Sequence, residues 1–398
     1  MISILFSPIK IGDLKLQNRF VRSATYEAMA KETGEITNDL ITMYQRLAKA
    51  DIGLIISGYM FIHPKGKAMK LQVGIHNDDM MPGLKNLVDN VHSNGGKIAF
   101  QIVHAGMQSY KEILGMPPKG PSAGIRSPIT LKKSKEMNED EINESIQAFP
   151  NAVERAIQVG VDVIQLHAAH GYLINQFLSP YFNKRTDKWG GSDENNFRFF
   201  KEVIIKTKKT LPKEIPLIVK LNVNDFKEEG ITLALATKYT KWLVELGIDG
   251  LEISCGSPHY ATYNMCRGRV PLEEYLQFLP SWQKPLAKLM FKKMIGKFGF
   301  DKPYNVDAAK AIKTTLNNTP LMVVGGIRTL KEMENILDNN YADMISMSRP
   351  FIKEPFLVKN LREGKINKTS CESCNRCLAA VACHIPVKCY VNSFPTKK

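Results

Sequence analysis

Short runs of consecutive apolar residues alternate along this chain with longer stretches in which apolar positions recur every three to four residues. The runs Phe20–Thr25, Ile52–Ser57, Lys97–Ile102, Asp162–Leu166, Leu217–Leu221, Gly250–Ser254, Leu321–Val324 and Asp343–Met347 are nearly unbroken. An unbroken apolar run is how a strand buried on both faces reads. Between them the spacing predicts helices. One is capped by Thr37 or Asn38 and runs to Lys49, and one opens at Met81-Pro82 and ends near His92. Others cover Glu139–Gln158, Asp193–Lys208, Thr232–Leu246, Val306–Leu316, Thr329–Leu337 and Glu354–Leu361. Eight strand-then-helix pairs in series predict an α/β fold, a closed (β/α)8 TIM barrel. A doubly wound open sheet would usually carry Gly-x-Gly-x-x-Gly directly after a strand, and none occurs here.

The barrel is expected over residues 1–365, with a Cys-rich tail at 366–398. Two insertions break the pattern. Residues 103–138 carry Pro117-Pro118, Pro121 and Pro128 and read as a long loop with a hairpin, and residues 255–305 hold Trp282, Met290, Phe291 and many lysines. Both follow strand C-terminal ends, the face on which barrels build active sites.

Composition narrows the class. In 398 residues, 44% hydrophobic content permits a large core, and no apolar run approaches the roughly 18 residues of a membrane span. The opening Met1–Phe6 lacks a basic segment followed by a long apolar one, so a cytoplasmic protein without a membrane partner is expected. The net charge of +15 comes from scattered lysines without interleaved aromatics. It therefore reads as a solvated basic surface rather than a nucleic-acid platform. Seven cysteines, five of them within 371–389, do not resemble a secreted disulfide framework.

Two groups of residues carry chemistry. Gly325-Gly326-Ile327-Arg328 ends the seventh strand and Ser348-Arg349-Pro350 the eighth, where glycine N–H groups and a guanidinium suit a phosphate. After the fourth strand stands His167-Ala168-Ala169-His170-Gly171-Tyr172-Leu173. Two imidazoles suit donation to a carbonyl oxygen and a nearby phenol suits proton delivery. The His pair could also ligate a metal, but no third ligand stands at a matching spacing.

That run, followed by Gln176-Phe177-Leu178-Ser179-Pro180, Asn183, Arg185, Asp187, Gly190-Gly191-Ser192, Glu194-Asn195 and Arg198, resembles the signature of the old yellow enzyme (NADH:flavin oxidoreductase) family. Asn18-Arg19-Phe20-Val21, Gln101 with His104-Ala105-Gly106, and Gly325-Gly326 match as well, so the likeness covers roughly residues 5–360. The resemblance implies an FMN-dependent NAD(P)H oxidoreductase that reduces activated C=C bonds of an enone or enoyl substrate by hydride transfer from flavin N5. It implies that Ser23, Ala24 and Thr25 line the flavin and that Gly58 packs beside its ring. It further implies that Gln101 bonds the pyrimidine edge, and that Lys220 stands where the family usually has Arg. Gly325, Gly326, Ser348 and Arg349 would hold the phosphate. His167 and His170 would polarise the substrate carbonyl and Tyr172 would protonate the α-carbon. Tyr26, in place of the usual Thr or Cys, and Met107, in place of Arg, depart from the family pattern.

The tail Cys371-x2-Cys374-Asn375-Arg376-Cys377, with Cys389, resembles the iron–sulfur segment of the 2,4-dienoyl-CoA reductase branch. That branch usually spaces its second and third cysteines by three residues; this chain has two, and adds Cys383-His384. Cys371, Cys374, Cys377 and Cys389 could hold a 4Fe-4S cluster or zinc, or remain reduced without metal. The branch's second flavin and nucleotide domains are not in these 398 residues, so a cluster would draw on an electron-donating partner; a homo-oligomer is also open. A dihydrouridine synthase-like role would need a Cys after an early strand, and the first here is Cys255.

Overall fold

The computed structural model describes residues 3–126, 133–258 and 262–396. All eight expected strands form: β1 Phe20–Arg22, β2 Leu54–Ile56, β3 Ile98–Val103, β4 Val163–Ala168, β5 Leu217–Asn222, β6 Gly250–Ser254, β7 Leu321–Val324 and β8 Met344–Met347. Each pairs in parallel with the next, and β8 returns to β1 with Ile345 opposite Phe20, which closes a (β/α)8 barrel. Eight helices alternate with them: α1 Asn38–Ala48, α2 Met81–Ser93, α3 Glu139–Gln158, α4 Asp193–Thr210, α5 Leu233–Glu245, α6 Val306–Lys313, α7 Leu330–Asp338 and α8 Leu357–Arg362.

Local signals account for these boundaries. Thr37, Asn138, Ser192, Thr232 and Thr329 each cap a helix through the side-chain oxygen, and Asn138/Glu141 and Thr329/Glu332 are full capping boxes. Helix α3 runs straight through Pro150, which removes one backbone donor. Ile142, Ile146, Phe149 and Val153 are all buried against the body, and that packing offsets the loss. An antiparallel hairpin, Ile9–Ile11 with Leu14–Leu16, covers the N-terminal end of the barrel.

Strand alternation stacks the barrel interior in layers. The lowest layer is apolar: Val21, Ile56, Ala99, Val163, Ile218, Met322 and Met344 cluster with Ile11 and Leu16 of the hairpin. Two residues further along the same strands stand Ser23, Gly58, Gln101, Gln165, Lys220, Glu252 and Ser346, all buried and mostly polar. The barrel therefore changes from oil to polar groups partway up, below the face where chemistry is expected.

In the first insertion Lys119–Gly120 pairs with Lys135–Glu136 in parallel rather than as the two arms of the expected hairpin, and only the single bridge of Arg126 to Lys133 is antiparallel; Pro128 lies outside the described residues. The second carries helices Thr262–Met265, Leu272–Phe278 and Lys284–Lys292. Helix Arg376–Ala382 of the tail packs on Leu272–Phe278, with Arg376 bonded to Glu274 at 2.6 Å. Among the described residues no helix is long and apolar enough to cross a membrane.

Candidate active site

The turn after β4 sets the site. His170 and Gly171 both adopt left-handed backbone (φ 61° and 71°), which reverses the chain directly above the strand. A Cβ on Gly171 would lie 2.3 Å from Gln108 Nε2, so both backbone angle and space require glycine there. The bonds that hold the turn include Gly171 N–H to Asn175 Oδ1 at 2.5 Å, His170 N–H to Asn222 Oδ1 at 3.3 Å, Gln108 Nε2 to the His170 carbonyl at 2.6 Å and Gln176 Nε2 to the Gly171 carbonyl at 2.6 Å.

The consequence is convergence. The His167 ring lies 5.0 Å from that of His170 and 4.9 Å from that of Tyr172, edge-on in both cases. His167 Nδ1 accepts the Ala169 N–H at 3.3 Å, which leaves the proton of a neutral ring on Nε2. His170 Nε2 is bonded to Ser254 Oγ at 2.7 Å. Burial, aided by the Lys220 cation, holds both imidazoles well below the usual histidine range, and His167 is lowered further by His170. Burial likewise keeps the Tyr172 phenol protonated, against the opposing effect of a hydrogen bond from Tyr59. Two neutral rings and a protonated phenol thus share one mouth.

Tyr59 is a residue the sequence reading passed over. Its ring lies 5.3 Å from Tyr172, 5.7 Å from Tyr26 and 6.2 Å from His167. Burial and the bond to Tyr172 raise its own phenol well above the usual value. Its only sequence signal was adjacency to Gly58.

Below lies a buried polar chain in which Gln165 and Glu252, unforeseen, join the expected Gln101, Lys220 and Ser23. Gln101 Nε2 donates to Gln165 Oε1 at 2.6 Å, and Gln165 Nε2 donates to Glu252 Oε2 at 3.0 Å. Glu252 pairs with Lys220 at 3.3 Å, and Lys220 donates to Ser23 Oγ at 2.8 Å. Every residue in it is at most 3% exposed, yet Gln101 Oε1 and Glu252 Oε1 have no partner. Buried acceptors rarely stay unpaired. An open carbonyl on Gln101 fits the imide N–H of a flavin, and Lys220 fits the anionic charge of its reduced ring. By this measure the residues present suit FMN.

The remaining predicted positions divide. Thr25 and Ser348 share a hydroxyl hydrogen bond at 2.7 Å, joining the ends of β1 and β8, with Ala24 partly buried beside the hairpin cluster. Gly58 donates its N–H to Glu27 at 3.0 Å and to Tyr44 at 2.8 Å, and a Cβ there would meet Glu27 Oε2 at 2.0 Å. Glu27 alone therefore accounts for this glycine. Gly325 and Gly326 have φ of 135° and 79°, and their missing side chains make room for Tyr304 and Phe300 of the second insertion. Arg349 Nη1 is committed to the Arg267 carbonyl at 2.8 Å and to Asn375 Oδ1 at 2.6 Å, which ties the strand end to the tail.

In the tail, Cys371, Cys374, Cys377 and Cys389 line one small cavity together with Arg349. All seven cysteines are unbridged. Among the described residues, no three His, Cys, Asp or Glu side chains are grouped to hold a metal ion. Burial pushes the Cys377 thiol up to about 12 and raises Cys371 as well, against the pull of Arg349.

A parallel barrel with a polar layer under a His–His–Tyr mouth defines a flavin-binding oxidoreductase. Residues 4–273 and 277–368 match the NADH:flavin oxidoreductase / NADH oxidase family, and the chain belongs to it; it is an FMN-dependent oxidoreductase of the old yellow enzyme type. Among solved structures it is similar to a 2-naphthoyl-CoA reductase in complex with 2-naphthoyl-CoA, with 27% identity, TM-score 0.84, and coverage of 98% of this chain and 57% of that one. The old yellow enzyme homologue from Zymomonas mobilis matches in fold with 23% identity, TM-score 0.72, and coverage of 92% and 94%. Histamine dehydrogenase from Rhizobium sp. 4-9 matches in fold with 21% identity, TM-score 0.78, and coverage of 98% and 52%. The chain thus spans little more than half of two of these relatives.

Proposed function

We propose that the protein reduces the activated C=C bond of α,β-unsaturated carbonyl compounds. The observation that supports this is the meeting of two neutral imidazoles and a protonated phenol within 5.0 Å ring spacings. A neutral imidazole donates one hydrogen bond without adding a charge, so His167 and His170 can hold a carbonyl oxygen and stabilise negative charge as it builds there. Tyr172 would give its proton to the α-carbon, and the Tyr59 hydroxyl would then support the phenolate oxygen that remains. Gln101, Lys220 and Ser23 would hold the flavin ring, and Gly325, Gly326, Ser348 and Arg349 its phosphate. The chemistry FMN supplies when bound is two-electron exchange with NAD(P)H and with the β-carbon. The test is the absorbance spectrum of the purified protein. A flavin band bleached by NADH or NADPH and restored by 2-cyclohexenone is expected; a bleached band that no enone restores refutes the substrate class.

A second reading rests on the shared cavity of the four tail cysteines. Four thiols lining one space could hold a 4Fe-4S cluster, the group such a reading requires. Such a protein would act on enoyl thioesters with electrons from a separate partner. Stoichiometric iron after anaerobic purification supports it, and an iron-free, fully active protein removes it.

A further inference from the structure

The second insertion carries a surface that the active site does not use. Trp282, Leu286, Leu289 and Ile295 are 77%, 63%, 59% and 52% exposed, and they are four of the seven large apolar side chains that the described residues leave in water. All four fall within fourteen residues. Isolated exposed apolar residues need no explanation; a group of this size does.

Helix Lys284–Lys292 and the turns on either side of it carry apolar residues on both faces. Gln283, Lys284, Ala287, Phe291, Met294 and Phe298 are half-buried, at spacings of three and four, and form the inner face. Phe291 stacks on Tyr275 at 5.4 Å and Phe298 packs on Tyr263 at 5.6 Å, so this face is fixed to the body. The opposite face of helix Lys284–Lys292, with the turn before it, therefore presents Trp282, Leu286 and Leu289 outward as a ridge. Lys288, Lys292, Lys293 and Lys297 are exposed around it, and residues 275–300 contain no acidic side chain. Among the described residues none of these lysines pairs with a carboxylate. A merely solvated basic face, as expected from composition, would not carry this apolar crest.

We infer that this ridge docks on the surface of an anionic lipid bilayer. Projecting Trp and Leu side chains enter the boundary between headgroups and acyl chains, while flexible lysine stems leave their ammonium groups at phosphate level. A second copy docked face to face across a two-fold axis would instead bring two acid-free, lysine-rich ridges together. The insertion leaves from the end of β6, the rim that also carries Ser254 beside His170.

The test is co-sedimentation of the FMN-loaded full chain with vesicles of phosphatidylcholine mixed with phosphatidylglycerol, and of phosphatidylcholine alone. Binding to the mixed vesicles is expected, with a blue shift of Trp282 emission. It should weaken roughly tenfold or more in Lys288→Glu/Lys292→Glu/Lys293→Glu, and comparably in Trp282→Ser/Leu286→Ser/Leu289→Ser. Flavin content and turnover of a soluble enone should not change in either variant. Absence of sedimentation, equal binding to neutral vesicles, or a solution dimer that the serine variant dissolves would overturn the inference.

Discussion

Replacing Glu252 by Ala removes the anion that faces Lys220 in the polar layer of the barrel. The two charges are 3.3 Å apart, which at an effective dielectric of about 20 corresponds to an attraction of about 5 kcal/mol. Both groups are buried, so the single variant leaves an uncompensated ammonium and strips Gln165 Nε2 of its acceptor. A loss of about 3–5 kcal/mol is expected. With about 2.1 cal/mol/K of unfolding entropy per residue over 398 residues, that lowers Tm by about 4–6 °C. Lys220→Met should cost a similar amount by stranding the carboxylate. The double variant should recover most of the loss, because neither charge remains. Thermal unfolding of the FMN-free proteins followed by circular dichroism is the assay. Losses that simply add in the double variant, or single variants within about 1 °C of the parent, would refute the claim that these groups form one interdependent pair.

Three further outcomes follow from the same geometry. Tyr172→Phe should slow reoxidation of the reduced flavin by an enone about 10²–10⁴-fold with little change in enone affinity; an unchanged rate in stopped-flow would remove the proton-donor role. Buried His104 is lowered from 6.5 to about 3, and His167 and His170 are lowered as well. The unfolded chain then binds more protons than the folded one below pH 6.5, so stability should fall as pH drops from there toward about 3. A denaturant midpoint flat between pH 7 and pH 4 would contradict this. Gly171→Ala places a methyl 2.3 Å from Gln108 in left-handed backbone. It should cost about 1–3 kcal/mol and disturb the turn bearing His170, and unchanged Tm and enone KM would contradict that account.

The strands were legible because a barrel strand is covered on both faces and cannot hide its apolar run, as Gly250–Ser254 and Leu321–Val324 illustrate to the residue. The His167–Tyr172 turn was legible because polar rings at a strand end have little structural use. Glu252 and Gln165 were not, since each is a single polar letter inside an apolar run. Only the two-residue step from the bottom layer to the polar layer, shared by Val163→Gln165, Ile218→Lys220 and Gly250→Glu252, brings them together, and that step needs the strand register. The contact of Gly58 with Glu27 was not legible either, since the two stand thirty-one residues apart. The tie from Arg349 Nη1 to Arg267 and Asn375 was not legible, because those bonds span long separations that no local motif encodes.

The claim on which the account turns is that His167 and His170 together hold the substrate carbonyl. The direct measurement is the return of flavin absorbance when dithionite-reduced His167→Ala/His170→Ala protein is mixed with 2-cyclohexenone under anaerobic conditions. The account predicts a flavin that is fully bound yet reoxidised at least about a hundredfold more slowly than in the parent. Reoxidation at the parental rate would contradict it.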